Sequence, residues 1–291
     1  MKTTASNNGK EQLSFNIPDR QSFNATAFQS NIGILSPADQ QVLHEAQVGI
    51  PGMGGVGGTH LISLVRAGVG SFKLADFDRF EPKNINRQYG AKVDSFGRLK
   101  LEVMIEEALA INPYLHITPY HEGVTKDNLN DFLDGCQVVL DSIEFFAFDI
   151  RRALYREARQ RHIPVIIAAP LGFSSCMLVF HPEKSPTFDE YFDIHPGLST
   201  VDKLLKFGLG LAPRPTFLSY MDFSSIDLGG GRGPSSGIAC YLCSAMAAME
   251  AVRIILKRPG LRPVPAYTIF DPYKTKLCRG RMPGGNRNPW Q

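Results

Sequence analysis

Cysteine, tryptophan and surplus charge are all scarce in this chain. Of 291 residues, five are cysteine and one is tryptophan, and 31 basic against 28 acidic residues leave a formal charge of +3. Five cysteines without a regular spacing exclude a disulfide-framework domain, and with no secretory leader pattern they point to a reduced, cytoplasmic protein. The near balance of charge gives no footing for nucleic acid or an anionic membrane as partner. No apolar run is read as approaching the length of a membrane span. A structural zinc site normally needs four ligands. Cys240 and Cys243 form a CxxC pair, but downstream of them only Cys278 follows, and the pair opens an apolar helical stretch in which both fall on one face. Zinc is therefore not expected.

The informative stretch runs from Gln47 to Lys100. Gly52-Met53-Gly54-Gly55-Val56-Gly57 follows the apolar Val48-Gly49-Ile50 and precedes a helical pattern from Thr59 to Arg66. Gly52, Gly54 and Gly57 have the G-x-G-x-x-G spacing of a strand-to-helix turn that binds a nucleotide. Residues without a β-carbon let the backbone approach a phosphate, and the helix start offers unpaired N–H groups and the positive end of a dipole. A second apolar run ends in Asp76-Phe77-Asp78, where a nucleotide-binding βαβ unit places an acid on the ribose hydroxyls.

Asn84-Ile85-Asn86-Arg87-Gln88 and Gly97-Arg98-Leu99-Lys100 come next. A nicotinamide cofactor reacts far from its pyrophosphate and has no use for cations gathered there. Reaction at an α-phosphate does, because charge grows on the phosphoryl oxygens and on the leaving pyrophosphate. Each of Arg87 and Lys100, taken singly, also fits a solvated surface charge.

Together, GMGGVGG, LVRAGVGSFKLADFD, NINRQ, GRLK, INP and VVLDSIEFF, in that order, resemble the ThiF/MoeB/HesA superfamily, whose adenylating domain is shared with ubiquitin-activating enzymes. The resemblance covers roughly residues 35–180, with a weaker match at 235–271. It implies an ATP- and Mg²⁺-dependent adenylyltransferase, commonly homodimeric, that activates a carboxylate, often the C-terminus of a small ubiquitin-like protein. Carried over by position, Gly52, Gly54, Gly55 and Gly57 form the phosphate turn, and Asp76, with Asp78 close by, holds the ribose. Asn84 and Arg87 contact the triphosphate, Gln88 supports that loop, and Lys100 stabilises the α-phosphate and departing pyrophosphate. The family's magnesium-ligand position holds Glu144 instead of Asp, with Asp141 ending the strand before it. Ser30 stands where relatives often carry an arginine that reaches into the ATP site, and Arg20 is the alternative source of such a group. Relatives that form a thioester place the cysteine after the sixth strand. None lies between Met177 and Ala239 here, and Cys176 reads as a buried strand residue, so no thioester step is expected.

The rest of the chain alternates strand and helix patterns, which predicts an α/β, Rossmann-like doubly wound fold with a mostly parallel sheet and helices on both faces. Residues 1–34 read as an N-terminal arm, polar and mobile to about residue 25. Residues 35–180 form the nucleotide-binding core, 181–235 a crossover or substrate-docking segment, and 236–291 a helix, a last strand at Ala266 to Asp271 and a surface tail. The segment 181–235 is rich in aromatics (Phe188, Tyr191, Phe192, Phe217, Tyr220, Phe223) and carries the glycine run from Gly229 to Pro234. It is expected to be a folded subunit-contact or docking element or, residue by residue, simple packing. Arg151 and Arg152 are expected to be solvated charges on an arginine-rich helix. Two other readings remain at this level: a non-catalytic nucleotide-binding or scaffolding relative, suggested by Ser30 and Glu144, and an NAD(P)-dependent oxidoreductase.

Overall fold

The computed structural model describes residues 2–5, 11–14, 19–222, 224 and 233–289. Phe223 and most of the glycine run before Gly233 lie outside the described residues. Strands β1 (Lys2–Ala5) and β2 (Glu11–Ser14) pair with each other in an antiparallel hairpin. Two helices follow, α1 (Arg20–Ala27) and α2 (Pro37–Glu45). Helix α2 starts on a capping box, in which Ser36 and Asp39 satisfy each other's backbone N–H with Pro37 at the first helical position. The stretch read as an arm thus carries secondary structure among its described residues. The polar run at its end becomes a helix because Asp19 caps it and Phe23 buries against the body.

The core begins with β3 (Gln47–Pro51), α3 (Gly55–Ala67), β4 (Ser71–Ala75), α4 (Lys100–Ile111) and β5 (His116–Tyr120). It continues through α5 (Leu129–Leu133), β6 (Val138–Asp141), α6 (Phe148–Gln160), β7 (Val165–Leu171) and β8 (Ser174–Phe180). After α7 (Phe188–Phe192), α8 (Thr200–Leu211) and α9 (Gly237–Ile255), the chain closes with β9 (Ala266–Asp271) and β10 (Lys276–Arg281). The sheet order is β10-β9-β8-β7-β6-β3-β4-β5. The run from β7 to β5 is parallel, whereas β8, β9 and β10 join antiparallel. The tail expected beyond β9 as a surface strap instead supplies the edge strand β10.

Strand residues alternate between two cores, as a sheet covered on both faces requires. Val138, Leu140, Ile166 and Ala168 join Val48, Ile50, Phe72 and Leu74 against α2, α3, α4 and α9. Val139, Val165, Ile167 and Ala169 face the opposite way, against α5, α6, α7 and α8. The aromatics Phe188, Tyr191 and Phe192 are almost wholly buried there, in ring contact with Phe148, Phe180 and Phe207. For these residues packing over the sheet is the outcome, and the short helical piece read at Lys203 to Phe207 extends to the whole of α8.

Helix α9 departs from one expectation. Its 19 residues include an 18-residue window of mean hydropathy 1.6, long and apolar enough by composition to cross a membrane. The helix packs instead on α3, β7 and β8 inside the fold, and Glu250 pairs with Arg253 on it. Its apolarity reflects burial between the sheet and a second helix.

Candidate active site

Strand β3 is the point where the winding reverses. From it the chain moves outward through β4 and β5, then returns to β6 on the other side of β3 and moves outward again through β7. In such sheets ligands bind beyond the carboxyl ends of the strands at this switch point. The glycine turn leaves the end of β3 here, and the loop carrying Ser142, Ile143 and Glu144 leaves the end of β6 beside it.

The glycines divide by what surrounds them. Gly52 has φ +105°, and a β-carbon there would lie 2.3 Å from the Ser142 carbonyl oxygen. One on Gly57 would lie 1.8 Å from the Gly52 carbonyl oxygen. Both are glycine because backbone meets backbone. A β-carbon on Gly54 would meet only Gln88 Nε2 at 4.0 Å, and one on Gly55 would meet the Cys240 sulfur at 3.0 Å and the Arg87 side chain beyond it. The turn is therefore open above Gly54, where α3 starts with no side-chain cap. Free N–H groups at a helix start under an open cradle fit a phosphate.

Asp76 stands at the end of β4 and accepts from Met53 N–H at 2.6 Å through Oδ2 and from Asp78 N–H at 2.7 Å through Oδ1. Burial raises its carboxyl above the usual range, opposed by those two N–H donors and the Lys100 charge. Lys100 opens α4 and is buried, with only its tip reaching Asp78 Oδ2 at 2.9 Å. Its backbone N–H also donates to the Asp78 carbonyl, at 2.8 Å. Asn84 is buried in the turn Pro82–Asn84, accepts from Glu81 N–H, and offers its carbonyl to the N–H groups of Arg87 and Gln88. Arg87 spends Nη1 on the Lys83 carbonyl and Asn86 Oδ1, and its alkyl stem lies beside Gly55. Gln88 keeps a buried Oε1 with no hydrogen-bond partner among the described residues. Direct contacts thus join the turn to Asp76 through Met53, Asp76 to Asp78 and Asp78 to Lys100, while Arg87 and Gln88, held by the Asn84 carbonyl, lie beside Gly55 and Gly54.

The β6 side differs from its sequence reading. Asp141 is fully enclosed, accepting from Ile143 N–H through Oδ1 and from Arg151 Nε and the Tyr155 hydroxyl, each at 2.9 Å, through Oδ2. Arg151, expected to be solvated, is only 2 % exposed. Its guanidinium also donates to the carbonyls of Ile143 and Phe145 and lies 4.7 Å from the Phe207 ring centroid. The reason is legible in retrospect: Arg151, Leu154, Tyr155 and Ala158 form one helical face, and that face is the buried one. Arg152 points elsewhere and forms a two-pronged pair with Asp189. Glu144 is exposed, and its Oε2 accepts from Phe146 N–H. Among the described residues no group of three or more His, Cys, Asp or Glu side chains converges to hold a metal.

The upstream candidates lie far from the crevice. Arg20 donates to the His44 carbonyl at 3.0 Å, next to the start of β3, the opposite end from the glycine turn. Ser30 sits exposed in the turn Gln29–Asn31. All five cysteines are buried and free. Burial raises the thiols of Cys136, Cys176, Cys240 and Cys243, which disfavours the thiolate. Cys240 alone of these borders the crevice, in the first turn of α9.

Fold and site together define a doubly wound α/β protein with an open glycine turn at its switch point and a buried lysine on the neighbouring strand's side. The sequence model of the ThiF family matches residues 28–289, and the chain belongs to that family. It is 33% identical over 133 residues to the tRNA threonylcarbamoyladenosine dehydratase of Escherichia coli (strain K12), covering 45% of this chain and 49% of that protein. It is 31% identical over 143 residues to the sulfur carrier protein ThiS adenylyltransferase of the same strain, covering 49% of this chain and 56% of that protein. The chain thus spans about half the length of these curated relatives. The crystal structure of E. coli MccB with ATP superposes with a TM-score of 0.61 at 18% identity, covering 85% of this chain and 66% of that one.

Proposed function

We propose that this protein uses ATP to adenylate a carboxylate. The observation that carries the reading is the buried Lys100 at the rim of the crevice, paired with Asp78 and facing the side of the turn where Asp76 stands. Enclosing a lysine is costly unless its charge is used. Here it lies within Coulombic reach of the place where a ribose-bound phosphate enters the glycine cradle. The matched family includes adenylyltransferases, and the ATP-bound E. coli MccB carries a nucleotide on this fold.

In the reaction proposed, a carboxylate oxygen attacks the α-phosphorus, the bond to the β-phosphate oxygen breaks, and pyrophosphate leaves. The α3 N–H groups and Arg87 hold phosphoryl oxygens, Asp76 fixes the ribose, and Lys100 exchanges Asp78 for the negative charge that grows at the α-phosphate. Asn84 and Gln88 shape the loop that carries Arg87. Mg²⁺ is a hard cation that keeps waters and commonly binds through one or two carboxylates plus phosphate oxygens. Glu144, exposed on the loop beside the cradle, fits that supporting role, and Asp141, fully engaged by Arg151 and Tyr155, fits a structural one. Metal would then enter with the triphosphate.

A second reading, nucleotide binding without turnover, is favoured by the engagement of Asp141 and by Glu144 in the metal position. ATP–pyrophosphate exchange with candidate carboxylates separates the two. Lys100→Ala is expected to lower exchange by about 10²- to 10³-fold, the usual cost of one transition-state charge donor, while ATP binding persists. Unchanged exchange in that variant would refute the role of Lys100.

A further inference from the structure

We infer that the acid activated here carries a compact apolar substituent next to its carboxyl group, and that its terminus is not a bare glycine tail. The inference rests on the adenylation reading and concerns the other side of the same crevice. Asp76 and Lys100 place the nucleoside on the β4 side of the glycine turn. On the β6 side of that turn lies a cavity of about 310 Å³ whose walls beyond Gly55 and Arg87 the nucleotide reading does not use. Gly55 and Arg87 border one end of it, so it opens on the place where the α-phosphate and its attacker meet.

Ser235 borders the Arg87 end of the cavity, where its carbonyl accepts from Asn86 Nδ2; beyond that end no side chain among the described residues is free to recognise a polar group. Arg151 and Asp141 border it but are spent on each other, and Ser142 donates to the Leu140 carbonyl. The walls are Phe145, Ile167 and Leu171 from the sheet side, with Phe207 and Leu211 from α8. Gly208 on α8 leaves room between them, since a β-carbon there would meet only the Phe145 ring edge at 3.9 Å. A carboxylate set beside Arg87 and the α3 start would direct its own substituent into this chamber. A glycine terminus would leave water against these walls, and a charged one would be desolvated without a partner. A branched or thioether chain would displace that water and gain by burial, a preference of about 10- to 100-fold over glycine.

The test uses non-hydrolysable mimics of the acyl-adenylate, the glycyl, leucyl, methionyl and aspartyl sulfamoyl adenosines, titrated calorimetrically against the wild-type protein. The leucyl and methionyl compounds are expected to bind about 10- to 100-fold more tightly than the glycyl and aspartyl ones. Gly208→Leu, which fills the chamber from α8, is expected to collapse that ratio toward one. Equal affinity for glycyl and leucyl compounds, or a preference for aspartyl, overturns the inference and leaves adenylation standing. Binding of every compound no tighter than AMP overturns the adenylation reading itself, and the inference with it.

Discussion

His60 lies in the second turn of α3, just beyond the phosphate cradle. It is 1% exposed, and neither ring nitrogen has a hydrogen-bond partner among the described residues. Burial lowers its pKa from 6.5 to about 3. The folded protein therefore refuses a proton that the unfolded chain accepts, so the unfolded state binds more protons throughout that window. Stability is complete above the unfolded value and is lost as pH falls from 6.5 toward 3. Integrating this single titration from about pH 7 to about pH 4.5 gives a loss of about 2.5 kcal/mol. The positive end of α3 acts in the same direction. Leucine has similar volume and does not titrate, so His60→Leu should remove this share of the acid sensitivity whatever other groups contribute. The assay is urea unfolding of wild type and variant at both pH values. With a slope on the order of 3 kcal/mol per molar for a chain of this size, the gap between their midpoints should widen by nearly 1 M on acidification. A gap that is the same at both pH values would mean that His60 titrates normally or finds a partner, and the reasoning fails.

The glycine turn offers a paired comparison. Gly57→Ala drives a β-carbon into the Gly52 carbonyl and should cost about 3 kcal/mol or more, read as a fall in Tm, whereas Gly54→Ala should leave Tm within about a degree and weaken ATP binding, since its space is open. Arg151→Met strands the enclosed Asp141 carboxylate and should cost about 3–5 kcal/mol in urea unfolding, with part of the loss recovered by adding Asp141→Asn. ATP affinity, followed by fluorescence of a labelled nucleotide, should fall on acidification with a midpoint above the ordinary 3.8 of aspartate, because burial raises Asp76 and protonation removes an acceptor for the ribose. In Asp76→Asn that pH dependence should vanish, and its survival would assign it elsewhere.

How much of this was legible beforehand depended on whether the cause was local. The glycine turn, the acid ending β4 and the lysine opening α4 announce themselves because each is dictated by its own neighbours: a tight turn, a strand end, a helix start. The parallel core followed from the same alternation of short apolar runs with helical ones. Arg151 did not, because an arginine on an arginine-rich helix looks like its solvated neighbours until the Asp141 carboxylate, ten residues earlier in the chain, is seen beneath it. The walls of the apolar chamber were hidden for a related reason. Phe145, Leu171 and Phe207 come from a loop, a strand and a helix that only the tertiary fold brings together. Strand β10 was missed because an edge strand exposed along both faces carries little apolar signal: Cys278 is buried while Lys276, Leu277, Arg279 and Arg281 are exposed.

The unequal surroundings of the turn glycines have a historical consequence. Gly52 and Gly57 are demanded by the chain's own backbone, so a descendant that kept the fold would keep them even after its chemistry had lapsed. Gly54 answers to a visitor alone. A lineage that ceased to receive nucleotide would feel no pressure there, and larger residues would accumulate at that one position while its neighbours stayed fixed. Position 54 is therefore where a silenced relative of this protein would first give itself away.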